Sequence, residues 1–116
     1  MPHIRLDTTA DLPENADLPE ILSDLVDELA SHATIESSAI KAYHTLRVNW
    51  VMGKGACAGF VHCEVAILAG RPLELRKAIA EGIAAVLRRR FAASRESGDA
   101  GLTVEVREMD RETYVK

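Results

Sequence analysis

Aromatic residues are scarce in this 116-residue chain, at 4%, and cysteine occurs only twice. With so few rings and a net charge of −4, the sequence offers neither the stacking platforms nor the basic face that nucleic acid requires, so no nucleic-acid partner is expected. Cys57 and Cys63 are too few for a disulfide framework, and no CxxC or paired Cys/His spacing suggests a metal site. Both read as buried or spare thiols. No apolar run approaches the ~20 residues of a membrane span, and no basic segment followed by an apolar one marks a signal peptide. The expectation is a cytoplasmic protein with no membrane partner. What is present is ordinary for a globular chain: 47% hydrophobic and 28% charged residues, enough for one domain over 1–116 with a core of its own. Small molecules are the expected partners.

The most distinctive stretch is the first, Met1-Pro2-His3-Ile4-Arg5-Leu6. Inside a chain, a proline nitrogen is an amide without a proton. Once Met1 is trimmed, Pro2 becomes a secondary amine that can accept a proton near neutral pH. Ordinary α-amino groups titrate at about 7.7 to 8.0. Burial disfavours the charged amine and leaves more free base, which makes Pro2 a candidate general base. The Met-Pro dipeptide alone is also a common chain start with no such consequence.

His3 to Thr8 alternates as a half-buried strand. A polar loop then repeats a motif, Asp11-Leu12-Pro13-Glu14 and Asp17-Leu18-Pro19-Glu20, of which only the second leads into helical periodicity. Leu18, Ile21, Leu22, Leu25, Val26 and Leu29 share one face, predicting a helix from about Leu18 to His32 with Asp17 and Glu20 as a capping box. Ile40 to Val51 alternates as a long strand, with Ile40, Ala42, Leu46, Val48 and Trp50 on its apolar side. The run with Gly53, Gly55 and Gly59 lies between strands, where a nucleotide loop would need a helix, and reads as a hairpin connection. Phe60 to Leu68 is apolar enough for a central strand. Pro72 opens a second helix whose buried stripe is Leu75, Ile79, Ile83, Val86, Leu87 and Phe91. Arg88, Arg89 and Arg90 fall in its last turns, where positive charge suits the helix dipole. Leu102, Val104 and Val106 mark a fourth strand, and the polar tail 108–116 crosses a surface.

The order strand, helix, strand, strand, helix, strand predicts an α/β (α+β) fold of two fused β-α-β units, about 2–51 and 60–107, with both helices on one face of a four-stranded sheet. The other face would carry His3, Arg5, Lys41, Tyr43, Arg47, His62, Glu64, Glu105 and Arg107. It is either a solvated open sheet or a surface packed about an oligomer axis. Arg71 stands at a helix start, where the dipole disfavours a cation. Either it joins the free first-turn amides in binding a carboxylate, or it pairs with Glu74 or an acid of another chain. With the first strand beside the third, Pro2 and Arg71 are expected toward opposite sheet edges unless another subunit or a strand shift brings them together. His3, His44 and His62 have no visible partner.

The opening Met-Pro-His, the Ala16-Asp17-Leu18-Pro19 helix start, the Phe60-Val61-His62 strand and the Ala69-Gly70-Arg71-x-Leu73-Glu74-x-Arg76 helix entry together resemble the 5-carboxymethyl-2-hydroxymuconate isomerase family of the tautomerase superfamily. The resemblance runs from the first residue to about Glu108. It implies a homotrimer of fused β-α-β units with sheets wrapped about the threefold axis, which favours assembly for the polar face. It also implies proton movement without cofactor, metal or nucleotide on a carboxylated dienol, in homoprotocatechuate breakdown. By the same resemblance Pro2 is the catalytic base and Arg71 binds substrate and polarises its carbonyl. Lys41 stands where the family has an arginine, keeping the charge but losing the bidentate fork. Tyr43 also replaces an arginine, and the tail is shorter. These departures bear on the substrate more than on the chemistry. A smaller enol such as phenylpyruvate, or a non-catalytic oligomeric binding module that keeps Met1, are the alternative readings.

Overall fold

The computed structural model describes residues Met1–Lys116. Four strands, β1 (His3–Thr9), β2 (Lys41–Arg47), β3 (Gly59–Leu68) and β4 (Ala100–Met109), form one sheet in the order β2-β1-β3-β4. Helix α1 (Leu18–Ala30) links the parallel pair β1 and β2, and α2 (Leu73–Arg90) links the parallel pair β3 and β4. The two units join through antiparallel pairing of β1 with β3. This is the duplicated architecture read from the sequence, with β3 inside the sheet as its apolar run requires.

One sheet face builds the core. Ile4 and Leu6 of β1 lie beside Val65 and Cys63 of β3, all without exposed surface. Against them pack Ile21, Leu25 and Leu29 from α1 and Ile79, Ile83 and Leu87 from α2. Each such side chain stabilises the fold by ~1.5–3 kcal/mol through removal from water. The basic end of α2 also ties the helices together, since Arg90 Nε donates to Asp24 Oδ2 of α1 at 2.6 Å and Arg89 lies 3.5 Å from the same oxygen. The arginine run is therefore structural.

Several expectations need correction. The predicted hairpin between β2 and β3 is a crossover, because β1 lies between them. Strand β2 stops at Arg47, not Val51. Its only neighbour is β1, whose pairing ends at Thr9 opposite Arg47, so Val48 and Val51 project into solvent, 65% and 97% exposed. Helix α1 ends at Ala30, short of His32. The Asp17 capping box does not form. A 3-10 turn over Pro13–Asp17 runs straight into α1, leaving Asp17 outside the extended conformation that lets a capping side chain fold back. Pro72 is extended and precedes the first residue of α2, and Phe91 bends the chain into a short helix α3 (Ala92–Glu96).

Candidate active site

Antiparallel pairing decides where the candidate residues meet. His3 lies opposite Ala66, so the chain before it runs alongside the last residues of β3. The expectation that Pro2 and Arg71 sit toward opposite edges is therefore wrong. The sequence pattern gave no sign of whether β1 and β3 run the same way or opposite ways, and running opposite brings the head of one to the tail of the other. Parallel pairing with β2 adds the third residue: the Lys41 amide donates to the Pro2 carbonyl at 3.0 Å. Pro2 is buried, whereas Lys41 is exposed.

Arg71 is set by two unusual backbone positions. Gly70, in the turn after β3, has φ 122°, a region open to glycine and strained for other residues. Thr34, after α1, has φ 68°, uncommon for a residue with a side chain. The guanidinium spans both turns: Nε donates to Thr34 Oγ1 at 3.0 Å, Nη2 to the Thr34 carbonyl at 2.9 Å and Nη1 to the Leu68 carbonyl at 3.2 Å. All three acceptors are neutral. Neither Glu74 nor any other acid pairs with Arg71, so its charge stays available for an anion.

The charges that act on the terminal amine are all positive, although the Glu108 carboxylate accepts from the Gly70 amide at 3.3 Å in the turn before Arg71. Burial first, then the positive charges of Lys116, Lys41 and Arg71, hold the chain's terminal amine below its ordinary value. That amine is Met1's, and while Met1 is attached the Pro2 nitrogen is an amide. The surroundings nonetheless favour a neutral amine and would draw an anion towards it.

Sequence reasoning missed the contribution of the tail. Tyr114 folds back so that its hydroxyl lies 2.8 Å from His3 Nε2 and donates to the Met1 carbonyl at 3.4 Å. Its rarity in an aromatic-poor chain was the only signal available. The histidines called partnerless each have a partner: His3 also meets the Tyr43 hydroxyl at 3.3 Å, His44 Nε2 lies 2.7 Å from Thr8 Oγ1, and His62 Nδ1 lies 2.7 Å from Thr103 Oγ1. Cys63 is sealed in the core, where burial pushes its thiol up to about 12. Such a thiol is inert at neutral pH. Both cysteines are free. The surface concavities lie elsewhere, among Val48–Val51, beside Asp11 and Ser94, and along α1 and α2. No helix is long and apolar enough to cross a membrane.

A sheet made of two β-α-β units, opening on a buried proline at the end of the β1–β3 pair from which the arginine-bearing turn leaves, places the chain among the tautomerases. Solved structures agree. A 5-carboxymethyl-2-hydroxymuconate isomerase from Deinococcus radiodurans R1 superposes with a TM-score of 0.89 at 29% identity, over 99% of this chain and 87% of that one. A Q0 fused 4-OT wild type symmetric trimer shares the fold at a TM-score of 0.79 and 13% identity, over 98% and 90%. The family model for 5-carboxymethyl-2-hydroxymuconate isomerase matches residues 2–116. The 5-carboxymethyl-2-hydroxymuconate Delta-isomerase of Escherichia coli is 30% identical over 94% of this chain and 87% of its own length. The chain belongs to the 5-carboxymethyl-2-hydroxymuconate isomerase family, and it is an isomerase.

Proposed function

We propose that this isomerase ketonises a carboxylated dienol, 5-carboxymethyl-2-hydroxymuconate, in the cytoplasmic breakdown of homoprotocatechuate, with Pro2 as base after loss of Met1. The observation that carries the reading is the meeting of buried Pro2 with Lys41 and Arg71 at one end of the β1–β3 pair. A substrate with several carboxylates matches that excess of positive charge. Pro2 nitrogen accepts the proton of the enol hydroxyl, the O–H electrons become the carbonyl π bond, and the conjugated double bonds shift. The proton then returns to the distant vinylogous carbon, where the new C–H bond forms. No electron acceptor or cofactor is required. Arg71 stabilises charge developing on the oxygen, and Lys41 holds a carboxylate as a point charge.

The same reading makes the protein a homotrimer. The sheet face without helices is charged yet partly sealed: Asp7, 5% exposed, lies between Arg47 and Arg5, and Glu64 lies between Arg5 and Arg107. A nearly buried carboxylate held between two arginines suits a face packed about an axis better than one left open to water. A neighbouring subunit would also supply the pocket walls that a single chain does not build around Pro2.

The test is ketonisation of the dienol by protein whose intact mass shows loss of Met1. Protein that keeps Met1, and Arg71→Ala without Met1, should each lose ~10²-fold or more of kcat/KM, the scale of a lost general base or charge stabiliser. Unchanged turnover in both would sink the proposal. Tyr43 and Lys41, where the family has arginines, leave room for a smaller enol such as phenylpyruvate; faster turnover of monocarboxylates than of the tricarboxylate would favour it.

A further inference from the structure

The C-terminal tail fastens both halves of the proposed site. Arg111 Nε donates to the Ala69 carbonyl at 2.5 Å, beside the turn that carries Arg71. Three residues on, Tyr114 reaches the N-terminus. Its hydrogen bonds run in one direction. The Tyr114 hydroxyl donates to the Met1 carbonyl, so its oxygen is left to accept from His3 Nε2–H. His3 Nδ1 is then unprotonated and accepts from the Tyr43 hydroxyl at 3.3 Å. A single neutral tautomer of His3 satisfies every contact. Both rings meet the imidazole edge to face, with centroids 6.1 and 6.0 Å away. Burial, followed by the charges of Lys41 and the terminal amine, holds His3 below its ordinary range and keeps it in that neutral form.

The Met1 carbonyl carbon is bonded to Pro2 nitrogen, so its oxygen marks where a polar atom sits when something occupies that nitrogen. Trimming Met1 opens this position to the substrate. We propose that Tyr114, aligned by His3 and Tyr43, binds substrate directly, donating its hydroxyl hydrogen to the enol oxygen whose proton Pro2 removes. The inference rests on the isomerase reading above and adds Tyr114 as a catalytic residue and His3 as its positioning residue. The donor matters most as charge builds on that oxygen, so its loss should appear in kcat more than in KM.

The experiment compares kcat and KM for the carboxylated dienol in Met1-free native protein, Tyr114→Phe, His3→Leu and His3→Gln, each with its melting temperature. Tyr114→Phe should lower kcat by about 10- to 100-fold with KM within about twofold. His3→Leu should lose part of kcat, and His3→Gln, whose amide N–H can replace Nε2–H, should regain it. Native-like kcat in Tyr114→Phe, or a change in KM alone, overturns the inference and leaves the isomerase reading standing. Native protein that does not ketonise the dienol overturns both. If Tyr114→Phe loosens the fold, the two His3 variants decide: equal kcat in both overturns the inference.

Discussion

Arg71 and His44 show how much a single side chain can be held by neutral partners. Arg71 rests on two carbonyls and a hydroxyl, a geometry that fixes the fork without cancelling its charge. Its position at a helix start was legible in the sequence as an anomaly. The acceptors were not, because Thr34 is 37 residues away and nothing in its local sequence announces a left-handed turn. His44 presents a different physics. Thr8 gives its hydroxyl proton to Asn15 Oδ1 at 2.6 Å, so His44 Nε2 must carry the proton they share. Burial lowers the titration of His44, against an opposing pull from Asp7. A histidine whose folded value lies below its unfolded ~6.5 adds stability that is full above that value and lost as pH falls through it towards the folded value. His3 shifts the same way. Urea unfolding at pH 7.5, 6.5 and 5.5 should show stability declining with acid, and His44→Gln should flatten the slope. An identical slope in the variant would remove His44 from the explanation.

Elements read from periodicity were the legible ones. The apolar phases of β1, β3, α1 and α2 each point to the observed core, because burial on one face writes a period into the sequence. Pairing direction writes none, which is why the β1–β3 junction, and with it the meeting of Pro2 and Arg71, could not be read. The end of β2 is not legible for a related reason: alternation continues to Val51, but a strand ends where its neighbour does. The β3–α2 connection supplies the prediction at this scale. Gly70 adopts φ 122° with the Arg111 guanidinium 3.5 Å from where a Cβ would stand. Gly70→Ala should cost on the order of 1 kcal/mol or more in backbone strain and, by shifting the turn, lower kcat/KM further than the loss of stability alone explains. Circular dichroism melting alongside the isomerase assay checks both parts. Full activity in a destabilised variant would show that the turn does not position Arg71.

At the scale of the whole molecule, the sequence indicated that a charged face would be left without helices, and that face is where the proposed assembly forms. Light scattering should give three times the mass of one chain, and disrupting the face with Asp7→Lys, which sets a third cation beside Arg5 and Arg47, should yield smaller species with much reduced turnover. Full activity in a stable single chain would rule out a shared site. The hold of Tyr114 on Met1 carries a consequence for the order of events during synthesis. Met1 is made 113 residues before Tyr114, the residue that closes over it. An aminopeptidase thus meets an open methionine until Tyr114 has emerged and a clasped one afterwards. Protein that folds before it is trimmed should resist the peptidase and stay dormant. Chains ending at Met109 should be trimmed readily at any time, so maturation of this enzyme would be timed by the emergence of its own tail.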